Sequence, residues 1–307
     1  MADLTRISGT VDFDEIAAFQ RRAFGDEWLK SERRRLQRAE YYRWKYFPPA
    51  GPAWLASIRS GHDMAAMVAA VPFHAAGADG ASTAWQICDI AVDPGFRRRG
   101  LFARCLTALA TAVAGDTTFC FANRRSRAGL IKAGYVASTL LRVRGRLLVG
   151  AAGGKSAAAV ADPVSLAGRA AANEANIGRY RHIRRSPEFL RWRYAAHPLN
   201  RYVGLSWQDT GSDGAGAIVR HLFGGRVGVV VESWPDSEEG VQAGYEGVSR
   251  WARDSGCWGL VEARNAPASA GGGRPWDVVC LARENREPSS QARAEPLRLR
   301  LGDWDAV

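Results

Sequence analysis

The sequence predicts an α/β protein built from two similar halves. A motif at residues 40–46, Glu-Tyr-Tyr-Arg-Trp-Lys-Tyr, returns at residues 188–194 with four of its seven positions identical. Each copy is followed, at similar spacing, by an apolar run typical of a β-strand. After Gly100 the apolar residues change from strand-like to helical spacing. Repetition on this scale indicates a duplicated domain.

The length of the chain also favours two domains. A chain of 307 residues exceeds one typical core of roughly 100 to 200 residues. Small residues fill positions 150–157, between the two copies, and suit an exposed connection better than a packed element. We therefore predict an N-terminal domain at 1–149, a linker at 150–160 and a C-terminal domain at 161–307.

The first half has the predicted order strand, loop, helix, strand, helix. The strand segments are short, apolar and bounded by Gly, Pro or Asp. We predict strands at 54–58, 64–73, 85–92 and 117–122. Apolar residues in 102–113 recur at steps of three and four, so they share one face of a helix. A second, short helix is predicted at 125–133.

Composition limits the classes of partner. The net charge of +11 suits nucleic acid, an acidic membrane surface or a small polyanion, and charge alone does not choose among them. The chain has no run of alternating basic and aromatic residues, which argues against nucleic acid. No apolar run reaches the roughly 18 residues of a membrane span, and the N-terminus lacks an export pattern. We therefore expect no membrane partner and a cytoplasmic location.

Cysteine usage points to a reducing environment. The five cysteines are odd in number, widely spaced and mostly set in apolar segments. This pattern favours reduced core thiols over disulfides. No spacing of Cys or His suggests metal ligands, so no metal is expected.

The segment 92–102 joins a predicted strand directly to a predicted helix. The first N–H groups of a helix have no partner within it and lie at the positive end of its dipole, so they suit a diphosphate. Gly100 lets backbone approach such a group, and Arg97, Arg98 and Arg99 add positive charge. Three adjacent arginines by themselves indicate only a solvated basic turn, so the neighbouring motifs decide between the two interpretations.

This segment resembles motif A of the GNAT acetyltransferases, in which Arg/Gln-x-x-Gly-x-Gly/Ala follows a strand. Residues 97–100 match the motif, whereas Phe102 stands where a second small residue is usual. Further on, residues 119–122 with Asn123 resemble the family's next strand and its cofactor-facing asparagine. Residues 132–135 resemble its closing Lys-x-Gly-aromatic pattern. Two motifs in this order and at this separation are a specific signal.

The resemblance implies a fold and a reaction. Each half is then a duplicated GNAT-like fold, a mixed and mostly antiparallel sheet flanked by helices. The implied activity is N-acyl transfer from acetyl-CoA, or another acyl-CoA, to a primary amine of a small molecule. Double proteins of this kind resemble acyltransferases of polysaccharide and secondary-metabolite genes, so an amino sugar is the preferred acceptor. A homodimer is left open.

The resemblance also assigns the cofactor site. In this family the strand before the loop splays from the next strand, and its exposed backbone pairs with the pantetheine arm. The expected cofactor-binding residues are Ile90, Ala91, Val92, Arg97, Arg98, Arg99, Gly100, Leu101, Phe102 and Asn123.

Two side chains are candidates for handling the proton of the amine. An amine with a pKa near 10.4 is protonated at neutral pH, so a carboxylate or a water chain has to deprotonate it. Asp89 is the candidate base, and Gln86 could orient a water. The alternative for Asp89 is a strand-end residue bonded to backbone. The family's proton-donating tyrosine is replaced here by Leu130, so no general acid is assigned, and Tyr135 is expected in the core.

The second copy is expected to keep the fold and to have lost the cofactor site. Its counterpart of the loop, residues 234–240, keeps proline and glycine but has acidic and hydroxyl residues in place of the arginines, which would repel pyrophosphate. Asn265 still follows a predicted strand, as Asn123 does. The second half would then serve as a substrate platform or a dimer surface.

Two features are given structural interpretations. The Trp44 and Trp192 motifs lie at equivalent places in both halves and are predicted to pack. Residues 297–305 alternate like a final strand and end in Asp303 and Asp305. These carboxylates are expected to lie in a solvated tail or to bind the substrate's ammonium group.

Two further functions stay open. An acyl-CoA-binding regulatory protein would bind the cofactor without turnover, which the missing tyrosine favours. A basic nucleic-acid-binding protein is the less favoured alternative.

Overall fold

The computed structural model describes residues 2–8, 11–25, 38–78, 80–148, 158–177, 181–207, 215–234, 238–267, 278–284, 297–300 and 303. In chain order the elements are β1 (Asp3–Arg6), α1 (Phe13–Phe24), α2 (Ala39–Lys45), β2 (Trp54–Ser60), β3 (Asp63–Gly77), β4 (Gly80–Val92), α3 (Leu101–Ala112), β5 (Thr117–Phe121), α4 (Arg127–Lys132), β6 (Val136–Leu147), β7 (Ala159–Ala161), α5 (Ala167–Ile177), β8 (Arg181–Ile183), α6 (Pro187–Leu190), β9 (Tyr202–Trp207), β10 (Ala215–Leu222), β11 (Val227–Trp234), α7 (Glu238–Asp254), β12 (Gly259–Pro267), β13 (Val278–Glu284) and β14 (Leu297–Arg298).

The chain forms two compact units that do not coincide with its two halves. The first unit is Met1–Ser138 with Val279–Leu297, and the second is Thr139–Val278 with Arg298–Val307. The units differ from the predicted segments because each sheet takes its last strand from the other half of the sequence. Most of the predicted linker, 150–157, lies outside the described residues.

The sheet of the first unit has the strand order β1-β2-β3-β4-β5-β13. All neighbouring strands are antiparallel except β4 and β5, which are parallel. A parallel pair needs a crossover connection, and α3 supplies it between β4 and β5. This arrangement brings the carboxyl ends of β4 and β5 and the start of α3 to the same end of the sheet.

The sheet of the second unit repeats this pattern. Its order is β7-β9-β10-β11-β12-β6. Again all pairs are antiparallel except one, β11 with β12, and α7 makes the crossover between them. Each sheet is therefore mixed and mostly antiparallel, and the predicted fold class is confirmed.

Most predicted elements of the first half are confirmed with small shifts of their ends. The predicted strands correspond to β2, β3, β4 and β5, and the predicted helices to α3 and α4. The predicted final strand is shorter in the structure, because β14 ends at Arg298 and the strand does not continue through Leu299 and Arg300. Asp305 lies outside the described residues.

The first unit's core lies between the sheet and α3. The apolar face predicted for this helix is buried, with Cys105, Leu106 and Leu109 packed against strand residues such as Val68 and Ile87. Burial of such side chains stabilises the unit by about 1.5 to 3 kcal/mol each. The packing fixes the start of α3 relative to the end of β4, and so sets the geometry of the loop between them.

All five cysteines are free and buried, which confirms the prediction of reduced core thiols. Among the residues that the structure describes, no helix is both long and apolar enough to cross a membrane.

We expect His197 to make the stability of the second unit depend on pH. Its Nδ1 accepts hydrogen bonds from the backbone N–H groups of Leu199 and Asn200, both at 3.1 Å. Burial, followed by the charges of Arg193 and Arg220, lowers the pKa of His197 from 6.5 to about 3. A protonated ring could not accept these bonds.

We expect the free energy of unfolding to fall as the pH decreases from 6.5 towards 3, because the unfolded chain takes up the proton first. The slope from this group is at most about 1.4 kcal/mol per pH unit. His197→Asn keeps an acceptor without a proton to gain, so urea unfolding between these pH values should show a shallower dependence. Equal slopes in both proteins would exclude His197 as the cause.

Candidate functional site

Strands β4 and β5 share a ladder over only part of their length. The paired residues run from Ala84 with Thr117 to Gln86 with Phe119, where the ladder ends. Strand β4 continues to Val92. Over residues 87–92, therefore, the edge of β4 that faces β5 has no ladder among the described residues, and its backbone groups can pair with an extended ligand. The resemblance implied such a splay. Gln86 is buried at the last pair of the ladder.

A β-bulge distorts β4 immediately beyond this point. On β3, Ala69 pairs with Cys88 and Met67 pairs with Ala91, so two residues of β4 lie opposite one residue of β3. Asp89, within the bulge, has a φ of 49°. A non-glycine residue pays a conformational cost in this left-handed region, which the surrounding contacts have to offset.

The side chain of Asp89 is held from helix α2. Lys45 Nζ lies 2.8 Å from Asp89 Oδ2. The hydroxyl of Tyr46 donates to the same oxygen at 3.0 Å. The side chain of Lys45 is 3% exposed, whereas that of Asp89 is 14% exposed. The carboxylate is thus reachable from solvent, while the groups that hold it are not.

The backbone of Asp89 is held from helix α1. The side-chain amide of Gln20 donates to the carbonyl oxygen of Asp89 at 3.0 Å. Gln20 is 2% exposed and Tyr46 is fully buried. The carboxylate of the predicted candidate base therefore forms an ion pair with Lys45 and accepts a hydrogen bond from Tyr46, while its backbone carbonyl accepts one from Gln20.

Sequence reasoning did not assign Gln20, Lys45 or Tyr46 to the site. The Trp44 motif was predicted to pack, and its last residue, Tyr46, is fully buried. Burial, followed by the charge of Asp89, raises the pKa of the Tyr46 hydroxyl well above 10. Its hydroxyl is therefore protonated at neutral pH and donates. The sequence did contain one sign that Lys45 and Tyr46 have a specific role, because a basic residue followed by tyrosine stands at the same place in both copies of the motif.

The loop after β4 opens the N-terminus of α3. Residues 94–96 form a 3₁₀ turn, in which Asp93 Oδ1 accepts from the N–H of Gly95 at 3.0 Å. Gly100 precedes the helix with a φ of 73°, and a Cβ there would meet nothing within 4 Å. The first turn of α3 carries no acidic residue. Its N–H groups and its positive dipole end suit a phosphate group.

The three arginines of the loop have different contacts. Arg97 donates to the carbonyl oxygens of Ala23 at 2.7 Å and Val92 at 3.3 Å, so it braces the loop against α1. The guanidinium of Arg99 lies 5.2 Å from the ring centre of Phe96. Arg98 is exposed, with a φ of 64°. Arg98 and Arg99 are thus better placed than Arg97 to meet an incoming anion.

A second brace comes from Arg22 in the last turn of α1. Its Nε lies 2.8 Å from Asp93 Oδ2, and its NH2 donates to the carbonyl of Met64 at 2.9 Å. The hydrogen bond from Arg22 lowers the pKa of Asp93 below its usual value. Arg22 and Arg97 together tie the loop to the end of α1.

The first two side chains of α3 point into the protein. Leu101 belongs to the core cluster, and the ring of Phe102 packs over Gly129 of α4. A Cβ at position 129 would lie 2.4 Å from the ring of Phe102, so glycine there makes room for the large residue. Leu101 and Phe102 can therefore offer a phosphate only their backbone N–H groups.

Asn123 caps a turn after β5. Its Oδ1 accepts from the N–H groups of Arg125 and Ser126, both at 2.9 Å. The side-chain oxygen is therefore engaged within the chain, which leaves the amide nitrogen for a ligand. Leu130 is fully buried, and Tyr135 lies in the core as predicted, where burial raises the pKa of its hydroxyl to about 12.

The second unit has an acid at the position equivalent to Asp89. The parallel ladder of β11 ends at Val229, and Glu232 follows three residues later, as Asp89 follows Gln86. The register of β11 also shifts at this point. Tyr194, the last residue of the second motif, donates to Glu232 Oε1 at 2.5 Å, as Tyr46 does to Asp89.

Glu232 is enclosed by an ionic network. Arg185 Nε donates to Glu232 Oε1 at 3.0 Å, and Arg185 NH2 donates to Asp303 Oδ2 at 2.9 Å. Arg300 donates to Glu232 Oε2 at 3.1 Å. Asp303 is 2% exposed and forms an ion pair with Arg185. Both interpretations given for it are therefore wrong, since it neither lies in a solvated tail nor is available to bind an ammonium group. Residues 235–237 of the acidic counterpart loop lie outside the described residues.

Comparison with known protein families identifies one domain. Residues 13–135 match the model of the acetyltransferase (GNAT) family. The match includes β4, the arginine loop, α3 and α4, which carry the geometry described above. No curated protein sequence matches the chain.

Solved structures with the same fold cover nearly the whole chain. A probable N-acyltransferase from Enterococcus faecalis superposes with a TM-score of 0.62 at 11% identity, covering 92% of this chain and 73% of that one. A GCN5-related N-acetyltransferase from Anabaena variabilis gives 0.63 at 10% identity, covering 93% and 73%. The N-myristoyltransferase of Saccharomyces cerevisiae, solved with bound myristoyl-CoA, gives 0.57 at 9% identity, covering 96% and 84%. At such low identity the likeness concerns the fold.

Proposed function

We propose that the protein is a GNAT-type acyltransferase, which moves an acetyl group from acetyl-CoA to a primary amine of a small molecule. The family match over residues 13–135 and the fold shared with solved N-acyltransferases support this proposal. The amine attacks the thioester directly. The preferred acceptor is an amino sugar, and another acyl-CoA is the alternative donor. Neither nucleic acid nor a membrane is a partner in this proposal, which also assigns the protein to the cytoplasm.

One observation carries the proposal: the free edge of β4 leads directly into the open N-terminus of α3. The ladder with β5 ends at Gln86, and Gly100 leaves the helix start accessible. An extended pantetheine arm would pair with residues 90–92, while the pyrophosphate would meet the first N–H groups of α3. Arg98 and Arg99 add the positive charge that such a polyanion requires.

The thioester would then lie near Asp89, and the chain's residues would do two things there. Backbone N–H groups at the end of β4 polarise the carbonyl. The partly exposed carboxylate of Asp89 takes the proton from the amine, with Gln86 as the second candidate through a water. As the new C–N bond forms, the C–S bond breaks and coenzyme A leaves as a thiolate. The thiolate is a good leaving group and takes its proton from solvent, so the step does not require a general acid from the protein.

An internal duplication accounts for the two units: the duplicated segments are close to 1–149 and 161–307 and are joined by a linker at 150–160, and each unit takes one strand from the other segment. The same strand orientations and the equivalent Asp89 and Glu232 support it. In the second unit Glu232 is fully paired with internal cations, which supports a structural or substrate-binding role for this unit over a second active site.

A second candidate function is acyl-CoA binding without turnover. Leu130 is fully buried where the family's tyrosine is expected, and Tyr135 is buried in the core with its pKa raised to about 12. Neither can protonate the thiolate. A regulatory protein of this kind would use the same cofactor site.

Calorimetry with acetyl-CoA, followed by a thiol-release assay with a panel of amines, tests both candidates. Binding with thiol release that depends on an amine supports the enzyme, and the panel ranks amino sugars against polyamines and amino acids. Binding without release from any amine supports the regulatory protein. Salt-sensitive DNA binding without acetyl-CoA binding would contradict both.

We expect Arg98→Glu with Arg99→Glu to weaken acetyl-CoA binding at least about tenfold, or about 1.4 kcal/mol, because two attractive charges become repulsive. Arg97 is left intact, since it braces the loop. The control is Arg201→Glu with Arg226→Glu, which makes the same change in net charge at two exposed residues of the second unit. Equal affinities for the two variants would show that only overall charge matters and would remove the phosphate-loop assignment.

A further inference from the structure

We propose that Gln20, Lys45 and Tyr46 are positioning residues, which hold the bulge of β4 in its active shape by acting through Asp89. None of them needs to touch the acyl donor or the amine. Their effect on the reaction rests on the proposed function, whereas their effect on the bulge does not.

The first support is that one unfavourable backbone conformation is held from several sides. Asp89 has a φ of 49°, a left-handed conformation that is unfavourable for a non-glycine residue. Gln20 from α1 binds its carbonyl oxygen, while Lys45, the last residue of α2, and Tyr46, the C-cap of that helix, bind one carboxylate oxygen. Such a conformation persists only where the surroundings over-determine it, and here two helices contribute.

The second support is burial. Gln20, Lys45 and Tyr46 are all 3% exposed or less, so these polar groups have been taken out of water in order to bind one residue. Burying a lysine ammonium costs several kcal/mol unless it is paired and hydrogen-bonded. For packing alone, an apolar residue at these positions would serve better. The charged and titratable groups around the carboxylate are Lys45, Tyr46, Tyr42 and the thiol of Cys88.

The third support comes from the position of the bulge along the strand. It lies directly beyond the last pair of the ladder with β5, on the free edge of β4. A bulge leaves one residue outside the ladder and re-aims the strand. A shift of the bulge by one residue would reverse the direction of the backbone groups at Ile90 and Ala91, since alternate residues face opposite ways.

The second unit supplies a matched comparison. Tyr194 donates to Glu232 as Tyr46 donates to Asp89, and a register shift accompanies both acids. Among the residues that the structure describes, however, only Asp89, Arg98 and Phe223 are non-glycines with positive φ, so Glu232 is not held in the left-handed region. The hydroxyl that binds the acid is thus kept in both units, whereas the acid itself is in the left-handed region only in the first unit, next to the proposed site.

Tyr46→Phe tests the proposal, because it removes the hydroxyl and keeps the ring. We expect kcat to fall about tenfold or more, while KM for acetyl-CoA rises by a smaller factor, since the pantetheine contacts at residues 90–92 depend on the bulge but the phosphate loop is untouched. Tyr194→Phe removes the equivalent hydroxyl in the second unit and should leave kcat within about twofold at a temperature where both variants are folded. Loss of kcat in equal measure in both variants would overturn the proposal, as would unchanged kcat in Tyr46→Phe.

A readout without turnover separates this proposal from the proposed function. Amide hydrogen exchange over residues 85–95, followed by mass spectrometry, should be faster in Tyr46→Phe than in the unmodified protein and in Tyr194→Phe. Unchanged exchange in Tyr46→Phe would show that the hydroxyl does not hold the bulge and would also overturn the proposal. If the unmodified protein released no thiol with any amine, the proposed function would fail, and the exchange comparison would still decide this inference.

Discussion

Asp89→Asn is expected to lower kcat by about 100-fold or more, the range typical of losing a general base. Asparagine has nearly the same shape and, like aspartate, tolerates the φ of 49° at this position. The affinity for acetyl-CoA should change by no more than about twofold, because the phosphate loop and the free edge of β4 are kept. Steady-state kinetics together with calorimetry measures the two quantities separately.

The substitution also leaves Lys45 without its carboxylate partner, so a control for this buried charge is needed. The double variant Lys45→Met with Asp89→Asn removes both charges of the pair. If the lost carboxylate is the base, activity stays as low in the double variant as in the single one. Recovery of most of the activity in the double variant would instead show that the single variant suffered from an unpaired ammonium group and would exclude Asp89 as the base.

The largest expected effect on stability lies in the second unit. Arg185→Met should lower the free energy of unfolding by about 3 to 5 kcal/mol, because it leaves buried carboxylates without their cation. Arg185 lies 2.8 Å from Asp303 and 3.0 Å from Glu232, with all three side chains 3% exposed or less. Burial by itself would lower the pKa of Arg185, but the charges of Asp303 and Glu232 outweigh it and raise the pKa well above its usual value.

Arg300→Met is the matched control. Arg300 binds the other oxygen of Glu232 but is 15% exposed, so solvent replaces part of its interaction. Urea unfolding should therefore show a clearly smaller loss for Arg300→Met than for Arg185→Met. Losses of equal size would mean that Arg185 is not the central cation of the network. A loss below about 1 kcal/mol for Arg185→Met would place the pair in the range of surface ion pairs and contradict its assignment.

The repeat and the phosphate loop show what local sequence can reveal. Alternating and helical apolar spacings predicted β2 to β5, α3 and α4, because these periods follow from which residues of each element face the core. The arginine loop was found for the same reason, since its glycine and its charges are local requirements of a helix start. The register at which β4 leaves β5 is not local, and no pattern in either strand gives it.

Several contacts of the site depend on residues far apart in the chain. Gln20 and Asp89 are 69 positions apart, and Arg185 and Asp303 are 118 positions apart. The sequence suggested a packing role for the Trp44 and Trp192 motifs, but it did not show that Lys45 would reach the carboxylate of Asp89. Likewise, the charges of Arg97, Arg98 and Arg99 look alike in sequence, and only the structure shows that Arg97 donates to the carbonyl oxygens of Ala23 and Val92.

The sequence by itself therefore determined the fold class, the repeat, the family resemblance and the loop at the start of α3, because each depends on residues close together along the chain. Only the tertiary structure decided which strands complete each sheet, with β13 taken into the first unit and β6 into the second. It also decided that Asp89 is held by three buried residues from two helices. The physical reason is that pairing and burial are set by the packing of distant segments, which local spacing does not encode.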